Sequence, residues 1–193
     1  RTSKMFGMRV VNSDDVFEKY LKDAKLDFKM QTAMGQGKER DALRDKAKAV
    51  TKKMRDNYVE GRLGLVIDGT GKDYSKITSQ ANQLNQIGYD VHMVFINTSL
   101  DVALERNRNR PRSIPEYIVT NSWNGVQSNI GQFQRIFSPN KMLIIDNNRS
   151  EKELVTQTLG QAAKFIRGQI NKRPDNYIAK QCIARELEAK KTI

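Results

Sequence analysis

Leu63-Gly64-Leu65-Val66-Ile67-Asp68-Gly69-Thr70-Gly71-Lys72-Asp73 is the stretch on which the reading of this chain turns. A short apolar run rich in β-branched residues ends abruptly in Asp68 and then glycines. That pattern predicts a fully buried parallel strand delivering a carboxylate to the C-terminal edge of a sheet. Ligands of open α/β sheets bind at that edge. Gly69-Thr70-Gly71-Lys72 invites comparison with the phosphate-binding pattern G-x-x-x-x-G-K-S/T. The pattern needs Gly at position 66 and Ser or Thr at 73, where the chain has Val66 and Asp73. Gly35-Gln36-Gly37-Lys38 fails the same test at Thr32 and Glu39, and it follows no strand.

Upstream, Met8-Arg9-Val10-Val11-Asn12 reads as a short strand, and Ser13-Asp14-Asp15 as an N-cap with acids in the first helical turn. The helix that follows carries Phe17, Tyr20, Leu21 and Ala24 on one face. After a loop over residues 30–38, a charged helix is expected over 39–58, with Leu43, Ala47, Val50 and Met54 as its apolar stripe. Its alternating basic and acidic residues suit a solvated face laced with ion pairs.

Downstream, a helix from about Ser75 shows Ile77, Ala81, Leu84 and Ile87 on one side, and Gly88 suits its C-cap. Residues 90–96 read as another buried strand, whose His92 suits packing better than catalysis. Thr98-Ser99-Leu100-Asp101 opens a short helix with a capping pattern, and that helix ends in the basic run Arg106-Asn107-Arg108-Asn109-Arg110-Pro111-Arg112. Pro115 starts a further helix with Val119, Trp123, Val126, Ile130 and Phe133 as its stripe. Residues 141–146 form the last strand-like run, and Ser150-x-x-Glu153 caps a long helix with Val155, Leu159, Ala162 and Ile166 facing inward. Residues 176–191 read as a separate amphipathic helix. The order β-α-α-β-α-β-α-α-β-α is that of a parallel α/β sheet with helices on both faces.

At 193 residues the chain is long enough for one domain with a sizeable core, or one domain with a helical appendage. The expected division is a main domain over residues 1–172 and a charged helical tail over 173–193. A net charge of +12 favours a polyanionic partner such as nucleotide phosphates, nucleic acid or an acidic protein, and it equally describes a solvated helical surface. The single cysteine, Cys182, excludes an internal disulfide and fits a reducing, cytoplasmic setting. One Cys with one His also excludes a Cys/His zinc site. No apolar run approaches membrane-spanning length and no signal peptide is visible.

The residues able to carry chemistry sit at the C-terminal ends of the expected strands. Asp14 and Asp15 follow the first, Asp68 the second and Asp146-Asn147-Asn148 the last, with the arginine run 106–112 after the third. Carboxylates facing arginines suit phosphoryl transfer: a carboxylate accepts a hydroxyl proton or holds Mg²⁺, and guanidinium groups neutralise the transferring phosphoryl. Taken singly each has a plainer reading, Asp14 as a cap, Asp68 as a structural strand end and the arginines as a solvated loop.

In their order, Val11-Asn12-Ser13-Asp14-Asp15, Val66-Ile67-Asp68-Gly69-Thr70 and Arg106-Asn107-x-x-Arg110 resemble the phage-type polynucleotide kinases and the related zeta-toxin-like P-loop kinases, over residues 8–148. The resemblance implies a three-layer α/β/α parallel sheet of the P-loop NTPase kind with a C-terminal helical extension. It also implies an ATP- and Mg²⁺-dependent kinase that moves the γ-phosphate to a hydroxyl, either a polynucleotide 5′-hydroxyl or a nucleotide sugar. Asp14 matches the acid that takes the acceptor proton. Asp68 matches the acid that orients the acceptor or a Mg²⁺-bound water. Arg106 and Arg110 match lid arginines over the ATP phosphates. Asp15, Thr70 and Lys72 fall on the substrate side, and Arg112, Asn147 and Asn148 join Arg110 on the nucleotide side. Phe17 departs from the polynucleotide kinases, which carry a basic residue near this point for the acceptor phosphate.

The largest departure is the G-x-x-x-x-G-K-S/T loop with its strand, which in these kinases precedes the Val-Asn-x-Asp-Asp element. Only residues 1–7 precede that element here, and the first is Arg1 rather than Met. The expectation is a chain cut from a longer parent, inactive alone, whose central strand and phosphate loop lie upstream. The competing reading is a degenerate kinase fold that binds nucleic acid or serves an assembly. It rests on the net charge, the lysine-rich helix and the tail.

Overall fold

The computed structural model describes residues 6–29, 37–149 and 152–191. The chain divides into two compact units, residues 1–70 with 99–123 and residues 71–98 with 124–193.

In the first unit, β1 (Arg9–Val11) and β2 (Leu65–Ile67) form a parallel pair with Arg9 opposite Leu65, Val10 opposite Val66 and Val11 opposite Ile67. The pairing extends by one bond at each end, Arg9 N–H to the Gly64 carbonyl and Asp68 N–H to the Val11 carbonyl. Helix α1 (Ser13–Asp23) starts directly after β1. Its N-cap is Asn12 rather than Ser13: Asn12 has extended backbone and its side chain accepts from Asp14 N–H at 2.7 Å. Helix α2 runs over Gly37–Glu60. Phe17 and Leu21 of α1 pack with Leu26 and with Ala47 of α2 to form this unit's core, against which Leu43 and Tyr20 lie. On the solvent side of α2, Lys48–Asp45, Lys52–Asp56 and Arg55–Asp56 are ion-paired, the solvated face its charge pattern implies. Helix α4 (Leu100–Asn109) also belongs to this unit. Ser99 occupies its N-cap position, where the capping pattern placed a side-chain bond, and makes no side-chain cap bond.

In the second unit, β3 (Met93–Asn97) and β4 (Met142–Asp146) pair in parallel along their whole length, from Met93 opposite Met142 to Asn97 opposite Asp146. Helix α3 (Tyr74–Gln86) is capped by Asp73, whose carboxylate accepts from Lys76 N–H. Gly88 follows its end at φ +102°, the left-handed position that a helix terminus of this kind asks of glycine. Helix α5 (Glu116–Lys141) starts after Pro115, and its residues from 124 onward lie in this unit. Ala81, Phe95, Phe133 and Phe137 form the core, joined by Ile77, Val126 and Ile130 from the expected stripes. Helix α6 covers Lys152–Ile170. The expected cap at Ser150 and the side chains of Glu153 and Val155 lie outside the described residues, as does most of the expected 30–38 loop. His92 packs edge-on against Phe165, and burial with nearby Lys141 pushes its imidazole below the usual range. Helix α7 (Tyr177–Lys191) is capped by Asn176, whose amide also donates to the carbonyl of Asn85 at 2.6 Å.

Parallel pairing and the α/β alternation match the sequence reading. The burial of β2 does not. Ile67 is 36% exposed and Leu65 and Val66 are half-buried, because each sheet has only two strands among the described residues and β2 is an edge.

Candidate functional site

The end of β1 and the end of β2 lie side by side, so the residues that follow them meet. Asn12 is the hinge of this arrangement. Its Oδ1 accepts from the backbone of Asp14 at 2.7 Å, and its Nδ2 donates to Asp68 Oδ2 at 3.0 Å. One side chain therefore caps α1 and ties the carboxylate of one strand end to the other. Asp14 and Asp15 fall in the first turn of α1, where the helix dipole favours negative charge.

Crowding of acids has an electrostatic consequence. Partial burial of the Asp68 carboxyl, with repulsion from Asp14 and then Asp15, pushes it above the usual 3.8, against a lowering backbone bond from Gly69. The folded state thus holds this proton more tightly than the unfolded chain. The resulting deficit in stability is absent below about the usual value and grows as pH rises through the raised native one. Asp68→Asn, which keeps an oxygen for Asn12, is therefore expected to raise the thermal midpoint at about pH 7 and leave it unchanged at about pH 3. Thermal scans at the two pH values check this.

The arginine run forms a closed loop after α4. Asn107, 3% exposed, donates to the Ile114 carbonyl at 2.7 Å and accepts from Ile114 N–H at 3.1 Å, which shuts the loop at its base. The same amide oxygen accepts from Arg110 Nη2 at 3.0 Å. Burial first, then Arg112, pushes the Arg110 guanidinium below its usual value, while Asp14 and Glu18 act in the opposite direction. Arg106 is half-buried on α4. Arg112, assigned to the nucleotide side by the sequence reading, has its guanidinium against α1: Nη2 lies 3.0 Å from Asp14 Oδ2, and Nε lies 2.7 Å from Glu18 Oε1. Asn107→Ala removes both closing bonds and is expected to cost about 1–3 kcal/mol, measured by urea unfolding.

The first unit thus brings together Asp14, Asp15, Asp68, Arg110 and Arg112, with Thr70 exposed just after Asp68. Lys72, Asn147 and Asn148 belong to the second unit. There, Gly71 takes φ +78°, so the second glycine of the opening stretch serves a turn. The buried amide of Asn129 holds that turn by donating to the carbonyls of Gly71 and Lys72 at 3.2 and 3.0 Å. Asn147 N–H continues the β3–β4 pairing to the Asn97 carbonyl at 2.8 Å, and Asn148 N–H donates to the Asp146 carboxylate at 3.0 Å. Glu18 and Asn129 escaped the sequence reading, and Asn107, quoted there within Arg106-Asn107-x-x-Arg110, was given no role of its own. Glu18 had a usable signal, since it stands four residues after Asp14 on the same helical face. The two asparagines had none, because their bonds close over loops.

Among the described residues no group of three or more His, Cys, Asp or Glu side chains could cage a metal ion. Mg²⁺ needs no such cage, as it is commonly held through one or two carboxylates together with substrate phosphates and water. Asp68 fits that role, since two neighbouring carboxylates already disfavour its ionised form and a cation would relieve them. No helix among the described residues is long and apolar enough to cross a membrane.

Acids at the ends of two adjacent parallel strands thus lie beside a closed arginine loop, which meets them through the Asp14–Arg112 ion pair. Compared with known families, residues 18–157 match the zeta toxin family, and the chain belongs to it. The match includes Asp68, Arg106, Arg110, Arg112, Asn147 and Asn148 and starts at Glu18, just after Asp14 and Asp15. Comparison with curated proteins and with solved structures gives no match.

Proposed function

We propose that the protein to which this chain belongs is an ATP- and Mg²⁺-dependent phosphotransferase acting on a hydroxyl group. The chain supplies the acceptor acids and the arginine loop. The observation that carries the reading is the bonded path from Asp68 through Asn12 to Asp14 and on to Arg112, which joins two strand ends to the arginine loop. ATP supplies the γ-phosphoryl group. Asp14, half-exposed at the start of α1, takes the proton of the attacking hydroxyl. Asp68 orients the acceptor or a Mg²⁺-bound water, with Asp15 and Thr70 alongside. Arg106 and Arg110 neutralise phosphate charge.

No segment of the 193 residues matches G-x-x-x-x-G-K-S/T, so the reading assigns the loop that grips the β- and γ-phosphates to sequence outside them. It includes a three-layer α/β/α sheet, to which the parallel β1–β2 pair belongs. As acceptor, a sugar hydroxyl of the nucleotide-sugar kind fits better than a polynucleotide 5′-hydroxyl. Phe17 fills the α1 position where a basic residue would hold the acceptor phosphate, and it is buried in the core. The ion pairs along α2 offset part of the basic charge on which a nucleic-acid-binding role would draw. The test is calorimetric titration of Mg-ATP into the full-length protein. Saturable one-to-one binding supports the reading, and no heat of binding at millimolar nucleotide overturns it.

A further inference from the structure

Arg112 is largely enclosed. Its side chain is 11% exposed, whereas the two carboxylates that it contacts, Asp14 and Glu18, are 49% and 45% exposed. Those carboxylates stand one helical turn apart on α1. The Nε and Nη2 atoms of a single guanidinium reach one each, at 2.7 and 3.0 Å. Because the guanidinium is planar, its Nε bond to Glu18 fixes where Nη2 stands beside Asp14, which a lysine ammonium cannot do. Arg112 itself is carried by the loop that Asn107 shuts. Asp14 is therefore held from two sides, by Asn12 through its backbone and by Arg112 through its carboxylate.

We propose that Arg112 is a positioning residue for Asp14, with Glu18 as the second anchor of the same guanidinium, rather than a ligand of the nucleotide phosphates. The inference rests on the phosphotransferase reading above. Glu18 has a specific part in it. By taking Nε, it leaves Asp14 a single ion-pair contact, through Oδ2, so that Oδ1 stays open to the acceptor hydroxyl. Without Glu18, both donors could close on Asp14 and occupy both of its oxygens. A guanidinium donor on each oxygen would stabilise the ionised carboxylate and weaken it as a base. The clamp also links the base to the closure of the arginine loop, since any movement of residues 107–114 moves the group that aims Asp14.

The experiment uses the full-length protein and compares wild type with Arg112→Ala, Arg112→Lys and Glu18→Ala, measuring kcat for phosphoryl transfer and the Kd of Mg-ATP separately. Arg112→Ala and Arg112→Lys are both expected to lower kcat by about 10²-fold with unchanged Mg-ATP affinity, the scale of a misplaced catalytic group. Added guanidinium ion is expected to restore part of the rate in Arg112→Ala, and methylammonium none. Glu18→Ala, at a half-exposed position, frees Nε where glutamine would still accept from it; it is expected to lower kcat in the same direction and keep the fold. Weakened Mg-ATP binding with unchanged kcat in Arg112→Ala would overturn the inference and return Arg112 to the nucleotide. An unchanged kcat in Glu18→Ala would also overturn it. No transfer by the wild-type protein would overturn the phosphotransferase reading itself, and the inference with it.

Discussion

Asp14→Asn is expected to lower the rate of phosphoryl transfer by about 10²–10⁴-fold in the full-length protein, the usual contribution of a positioned general base. The substitution is nearly isosteric. The side-chain oxygen can still accept from Arg112, and the cap bond from Asp14 to Asn12 uses the backbone, so α1 starts as before. What disappears is the ability to take a proton. Stability should hardly move, because a half-exposed carboxylate in an ion pair contributes only about 0–1 kcal/mol. Mg-ATP affinity should not move either. Single-turnover transfer rates, thermal midpoints and nucleotide titrations on the same pair of proteins separate these effects. A parallel fall in thermal midpoint would make Asp14 a structural cap.

Phe133→Ala is expected to cost about 3–5 kcal/mol, the largest loss of stability for a single substitution in this chain. Phe133 is 0% exposed and central to its unit's core. The Tyr74 ring lies 5.5 Å away on one side and the Phe137 ring 6.4 Å away on another. Three helical or strand elements therefore lose contacts at once, and a cavity in close-packed rings relaxes little. Against a typical total of about 5–15 kcal/mol, such a loss is a large share. Urea unfolding followed by far-ultraviolet circular dichroism measures it. A cost below about 1 kcal/mol would mean that the site collapses freely, contrary to the packing described.

Much of this architecture was legible in the sequence, for identifiable reasons. Apolar stripes placed Phe17, Leu21, Ala47, Ala81 and Phe133 correctly, because helical periodicity reports directly on which face is buried. The strand ends were legible because apolar runs stop sharply at Asn12, Asp68, Asn97 and Asp146. The convergence of Asp14 with Asp68 followed from parallel pairing of adjacent strands. Less legible were matters that depend on distant partners. The burial of β2 depends on what flanks it, not on its own composition. Asn12 took the cap from Ser13 because its longer side chain spans both Asp14 N–H and the Asp68 carboxylate. The engagement of Arg112 by α1 depends on the loop geometry set by Asn107, and no local pattern encodes that.

The most direct measurement is transfer of labelled γ-phosphate from Mg-ATP by the full-length protein, with a nucleotide sugar and a 5′-hydroxyl oligonucleotide as parallel acceptors. The account predicts label on a hydroxyl acceptor, dependent on Mg²⁺ and on Asp14, with the nucleotide sugar preferred. Absence of transfer to any hydroxyl, together with salt-steep binding to nucleic acid, would contradict it and turn attention to the basic surface.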